Sequence, residues 1–296
     1  MEHYTYKPVR FYVTVFALTW GFWIPALIFK NEPPMFVFML LGLIAPAATA
    51  VFTVLGSGNK MLKEDLKRKI IGCYRVKPLY LILSVLIFGA GVAASIGISV
   101  LLGGSPEQFS FTDDFSFSIA GTPALLTIFL ASVIEELGWR GYGEDAVGQY
   151  NTWFKESFIF AAIWACWHIP LFWIPGTYHN GLKELGLIYV LNFMVSTLPI
   201  DFIQTWLYVK NRRSMLATVF FHLFINFFQE KIAMTPETKC IETVVFMVIA
   251  AVLVICNRKM FFDTDHIGRL LEKQLEDDGL TGAENKAVKI TAAQRG

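Results

Sequence analysis

Charge is what this 296-residue chain has least of. Asp, Glu, Lys and Arg make up 17% of it against 55% hydrophobic residues, where soluble domains run at about 25% charged. So few charged groups cannot coat a soluble surface of this size, and the apolar excess must face lipid. A basic surplus is missing too: the net charge is +1, which gives no electrostatic footprint for nucleic acid. The four cysteines, Cys73, Cys166, Cys240 and Cys256, have no CxxC spacing, so they indicate neither a disulfide framework nor a zinc-thiolate site. HExxH and GxSxG are both absent, which removes two common hydrolase signatures. No internal repeat is evident, which counts against inverted-repeat transporters. The fold class is therefore all-α, a polytopic membrane protein.

Crossing the bilayer takes roughly 20 helical residues. Windows of that kind lie at 11–30, 35–56, 78–103, 120–141, 157–175, 185–209, 214–233 and 241–256, which predicts about eight transmembrane helices. The first is too long for a signal-peptide core and lacks an Ala-x-Ala site, so no cleavable signal is expected. Lys60, Lys63, Lys67, Arg68, Lys69, Arg75 and Lys77 crowd the second connection, whereas 104–119 carries no Lys or Arg. Together with Lys210, Arg212, Arg213, Arg258 and Lys259, this bias predicts both termini inside. The basic cluster reads as topology plus contact with anionic lipid. Residues 1–262 form the membrane domain. Residues 263–296 read as a polar cytoplasmic tail, with a short amphipathic helix over His266–Leu275 and disorder beyond it. The tail and the lack of a targeting segment suit a multi-pass protein of a prokaryotic cell membrane.

Ionisable groups inside spans are expensive and point to function. The fourth window holds Glu135, Glu136 and Arg140, the fifth His168, the sixth Asp201, and the seventh His222 and Asn226. At 1.5 Å per residue, Glu135, His168, His222 and Asn226 lie ~9, ~16, ~12 and ~18 Å from the assumed cytoplasmic ends. Three helices thus place polar groups in one slab, able to converge on a cavity open to the cytoplasm. Glu136 and Arg140 share a face and can pair, orienting a loop at Gly141 and Gly143, while Glu135 points about 100° away. Trp164 can pack on His168, and Pro170 should kink the fifth helix and free a carbonyl. The plainer alternatives are a structural ion pair, and His and Asn side chains acting as interhelical contacts. Asp201 suits either a supporting partner of the site or an unrelated structural carboxyl.

Peptide hydrolysis in a membrane needs water, a base and oxyanion donors. A buried carboxylate, two imidazoles and an amide supply them. Glu135, His168 and His222 also make a two-His, one-carboxylate set that could hold zinc. A rival use of the same three residues is the proton relay of a proton-coupled transporter.

Glu135-Glu136-x-x-x-Arg140, Trp164-x-x-x-His168 and His222-x-x-x-Asn226 together resemble the CPBP family of intramembrane endopeptidases, which covers CAAX prenyl proteases and bacteriocin-processing, abortive-infection proteins. The resemblance spans residues 135–226 and implies an eight-helix endopeptidase acting on a peptide or protein C-terminus, in some members prenylated, next to the lipid bilayer. By the same resemblance Glu135 activates water with His168 assisting, and His222 and Asn226 stabilise the oxyanion. Glu136 and Arg140 support them. The family is described both as zinc-dependent and as metal-free, and the same two histidines serve either scheme. Trp164 stands where the family more often has Phe. A family-like immunity protein that binds a peptide without cleaving it is the remaining alternative.

Overall fold

Proline and short polar side chains set where the helices begin. The computed structural model describes residues 4–29, 32–112 and 124–280. In chain order its helices are α1 (Pro8–Phe29), α2 (Pro33–Gly56), α3 (Lys60–Ile71), α4 (Pro78–Leu101), α5 (Ala124–Gly138), α6 (Glu144–Gly148), α7 (Trp153–Trp167), α8 (Tyr178–Leu185), α9 (Leu187–Lys210), α10 (Met215–Lys231), α11 (Pro236–Cys256), α12 (Arg258–Phe262) and α13 (Leu270–Asp277). No strand occurs among the described residues, so the chain is all-α as expected. Pro opens α2, α4 and α11, where its missing N–H would have had no helical partner. Asn59, Thr152, Thr177, Ser214 and Thr235 cap α3, α7, α8, α10 and α11, each accepting from the backbone N–H three residues on, the preferred N-cap arrangement.

Among the described residues six segments are long and apolar enough to cross a bilayer: α1, α2, α4, Trp153–Trp173, α9 and α11. Large apolar side chains on them remain exposed, among them Val9, Ile28, Phe52, Leu79, Val195 and Val244, as a lipid-facing surface requires. The protein is a multi-pass membrane protein. The other two expected spans correspond to α5, 15 residues, and α10, 17 residues. Both are shorter, and the start of the fourth window lies outside the described residues.

Two local expectations are corrected. Pro170 does not kink a continuing helix. α7 stops at Trp167 with His168 as its C-cap, and Ile169–Trp173 winds on as a 3-10 helix, because Pro170 cannot donate into an α-helical ladder. No loop forms at Gly141 and Gly143 either. Trp139–Gly143 is a π turn that joins α5 to α6 without a break. Close packing accounts for the glycines flanking it: a Cβ on Gly138 would come within 2.5 Å of Pro46 Cβ, and one on Gly143 within 2.9 Å of the Tyr12 hydroxyl.

On the side of the basic connections the chain is closed by buried ions. Asp65 on α3 meets Arg213 at 2.7 Å, Arg75 at 3.1 Å and Lys69 at 3.6 Å, and Asp145 on α6 pairs with both Lys69 and Arg213. Burial alone would raise the Asp65 carboxyl, but Arg213, Lys69 and Arg75 outweigh it and hold it well below the usual carboxylate range,. Arg212 and Arg213 both adopt left-handed backbone, φ 53° and 58°. That conformation is costly for a side chain of this size, and the buried guanidinium of Arg213 offsets the cost.

The tail helix falls at Leu270–Asp277, later than expected, because residues 265–269 form turns, with Gly268 at φ 76°. Leu270, Leu271 and Leu275 are buried, His266 stacks on Trp153 at 4.9 Å, and Asp278 pairs with Arg75 at 2.5 Å. Residues 263–280 therefore pack on the membrane domain. The stretch 281–296, where disorder was expected, lies outside the described residues.

Candidate active site

Neighbouring acids on α5 face in different directions. Glu136 is fully buried; its Oε1 accepts from Arg140 Nη1 at 3.3 Å and stands 2.9 Å from His222 Nδ1. Glu135 points into a pocket of about 190 Å³, with room for several waters. Its Oε2 receives long contacts, 3.4 Å each, from the indole N–H groups of Trp139 and Trp164.

His168, His222 and Asn226 line the same pocket, so the four side chains expected to converge do so. The end of α7 sets the His168 ring. Its backbone N–H bonds the Ala165 carbonyl, which leaves the Trp164 carbonyl to contact His168 Nδ1 at 2.7 Å. A carbonyl can only accept, so Nδ1 carries the proton and the Nε2 lone pair is free. Trp164 packs edge-on against both imidazoles, 5.6 Å from His168 and 6.0 Å from His222. His222 is oriented through Nδ1 by Glu136, which frees its Nε2 as well. Asn226 follows one turn later on α10, on the same face.

One turn beyond Glu136, Arg140 is the centre of a buried charged network that does not line the pocket. Arg140 pairs with Glu144 at 2.6 Å and with Asp201 at 2.9 Å, donates to Gln204 at 3.0 Å, and lies over the Phe160 ring at 4.9 Å. All of these polar partners are fully buried. Asp201 is thus a supporting partner of Arg140 and does not line the pocket. From Glu135 the pocket runs past Ser196, Asn192 and Tyr189 on α9 and Gln229 on α10 to Pro236 at the start of α11. Its lining residues on α9 and α10, Tyr189 to Ile200 and His222 to Glu230, lie in the halves of those helices away from the basic stretch Lys210–Arg213.

Sequence reasoning missed several residues. His179 on α8 lines the pocket and stacks on His168, with ring centroids 5.1 Å apart and planes 20° apart. It falls between two span windows, so a search for ionisable groups inside spans passes over it. Glu144 and Gln204 were missed as Arg140 partners, although Glu144 sits four residues past it.

The expected zinc set of Glu135, His168 and His222 meets one observation. Among the described residues no three His, Cys, Asp or Glu side chains gather closely enough to hold a metal ion.

The description "Type II CAAX prenyl endopeptidase Rce1-like" matches residues 118–228, the stretch that carries all six expected site residues. The chain is also 34% identical over 267 residues to the CAAX prenyl protease 2 of Methanococcus maripaludis, an alignment covering 89% of this chain and 98% of that relative. With identity and coverage of that extent, the chain belongs to the Rce1-like CAAX prenyl endopeptidases, within the family that its motifs resemble.

Proposed function

We propose that the protein is an intramembrane endopeptidase that hydrolyses a peptide bond near the C-terminus of a prenylated, CAAX-type substrate. The observation that carries this reading is the meeting of Glu135, His168, His222 and Asn226 around one pocket inside the helical bundle.

Glu135 removes a proton from a water that His168 Nε2 holds by accepting its other hydrogen. The hydroxide adds to the scissile carbonyl carbon. The resulting oxyanion accepts from the Asn226 amide and from His222 Nε2. Because His222 already donates from Nδ1 to Glu136, it must be imidazolium to donate from Nε2 as well, and the Glu136 carboxylate compensates that charge. Glu135 then passes its proton to the amide nitrogen as the C–N bond breaks. Arg140 keeps Glu136 in place and touches neither water nor substrate.

The enzyme works in the cell membrane, and its substrate's lipid lies in the bilayer beside it. Because the pocket-lining parts of α9 and α10 lie away from the basic connections, the reading places the pocket mouth on the face opposite those connections. Cys73 is exposed on the basic face. In a variant keeping only that cysteine, reaction with a membrane-impermeant maleimide from outside intact cells puts the mouth in the cytoplasm; protection puts it on the outer face.

The activity test uses purified protein in liposomes with a farnesylated CAAX peptide. The wild type is expected to cleave it, and Glu135→Ala and His222→Ala are expected not to. Cleavage that survives both substitutions refutes the assigned site. Proton-coupled solute flux lost on Glu135→Gln, with no peptide cleavage, would replace the enzyme by a transporter.

A further inference from the structure

Lys239 is the one lysine or arginine lining the pocket among the described residues. It sits in the first turn of α11, where the helix dipole disfavours a cation. Its ammonium is 3.3 Å from the Tyr178 hydroxyl, 3.2 Å from the Gln229 carbonyl and 4.8 Å from the centroid of the Tyr178 ring. No carboxylate among the described residues lies within ion-pairing distance of it. An ammonium has three N–H donors, and two are taken here. The third is free, and the Tyr178 hydroxyl, having accepted from Lys239, still has its own proton to give. Asn192 donates to the Lys239 carbonyl at 3.3 Å and so steadies the turn that presents the amine. Pocket walls that otherwise carry carboxylates, Glu135 and Glu242 among them, thus contain one spot made for an anion.

Its distance from the reacting groups is informative. Gln229, which the amine touches, lies seven residues past His222 on α10, ~10 Å along the helix axis. Three residues of extended peptide span about the same length. A CAAX substrate has three residues after the prenylated cysteine and then a free carboxylate.

We propose that Lys239 and the Tyr178 hydroxyl form a subsite for the C-terminal carboxylate of the substrate. Cleavage is thereby measured from the chain end, with the scissile carbonyl at His222 and Asn226 and the terminal carboxylate at Lys239. This rests on the endopeptidase reading above. The same contacts would serve a purely structural lysine that covers the C-terminal carbonyls of α10, and the experiment separates the two roles.

Two farnesylated peptides of identical sequence, one ending in the free acid and one in the amide, are offered to the full-length protein in liposomes. The wild type is expected to cleave the acid at least tenfold better in kcat/KM, the range of a hydrogen bond between charged groups. Lys239→Met should bring the acid-to-amide ratio near one, and Lys239→Arg should keep most of the preference. Equal cleavage of acid and amide by the wild type overturns the subsite while leaving the endopeptidase standing, and needs no variant to fold. A Lys239→Met protein that retains the preference overturns it as well. If the wild type cleaves neither peptide, the underlying reading fails and the subsite with it.

Discussion

His222 Nδ1 stands 2.9 Å from Glu136 Oε1, and this contact separates the duties of two adjacent acids: Glu136 is committed to an imidazole and a guanidinium, Glu135 to the pocket. Glu135→Gln is therefore expected to lower kcat by about 10²–10⁴, the usual worth of a general base, with little change in thermal stability. Glu136→Gln should cost both activity and stability, since its carboxylate is the partner of His222 and Arg140. Steady-state cleavage of a farnesylated peptide, paired with thermal unfolding in detergent, checks both. Full activity in Glu135→Gln would remove Glu135 from the chemistry.

Asn226 lines the pocket, and in the proposed mechanism its amide donates to the oxyanion. Asn226→Ala is expected to reduce kcat by about 10²–10³, as loss of one oxyanion donor does, without lowering the melting temperature. A variant that is equally active, or one that unfolds early, would contradict this.

Arg140 pairs with Glu136, Glu144 and Asp201 at once. Arg140→Met leaves those buried carboxyls uncompensated and should cost about 3–5 kcal/mol, the range for breaking a buried ion pair. Arg140→Lys should rescue little, because one ammonium cannot reach the partners that a guanidinium fork spans. Unfolding of both variants in detergent, followed by circular dichroism, measures the loss; a near-wild-type melting temperature in Arg140→Met would show that the network is dispensable.

Asp65 lies outside the spans, and its carboxyl is held below the usual range by Arg213, Lys69 and Arg75 once their pull exceeds the effect of burial. A depressed folded-state pKa contributes stability that is fully present above the unfolded value of about 3.9 and is lost as pH falls through the folded one. The melting temperature should thus hold as pH drops from 7 toward 4 and fall below that. In Asp65→Asn the acid-side fall should be shallower, starting from a lower melting temperature at pH 7.

Since no three metal-ligating side chains gather at the site, cleavage is expected to survive chelation, and elemental analysis of active protein should find no stoichiometric zinc. Activity abolished by a chelator and restored by added zinc would bring Glu135, His168 and His222 back as ligands.

Much of the site was legible because helical spacing is a strong constraint. Glu136 and Arg140, or His222 and Asn226, four apart, must share a face, and scarce polar groups in lipid-length windows have few places to go. What the sequence hid depends on interruptions of that regularity. Pro170 marks a break but does not say whether α7 bends or stops. Nothing in Trp139–Gly143 distinguishes a π turn from a loop with two glycines. His179 escaped for a different reason: it lies on a short helix between spans, and only the folded chain brings it against His168.

The π turn at Trp139–Gly143 has a consequence for how this segment tolerates change. It holds one residue more than an α-helical turn, and each residue advances a helix by about 100°. Removing a single residue there would leave an acceptable membrane helix by hydropathy and keep Glu135 and Glu136 in place. It would also leave Glu144 and Asp145 facing roughly as they do, because the wide turn already spends its extra residue within a single revolution, whereas removing a second residue would rotate them by about 100° away from Arg140, Lys69 and Arg213. The turn thus absorbs a one-residue change in length between the half of the helix that holds Glu135 and the half that anchors the protein's charged face, and only a further deletion would uncouple the two.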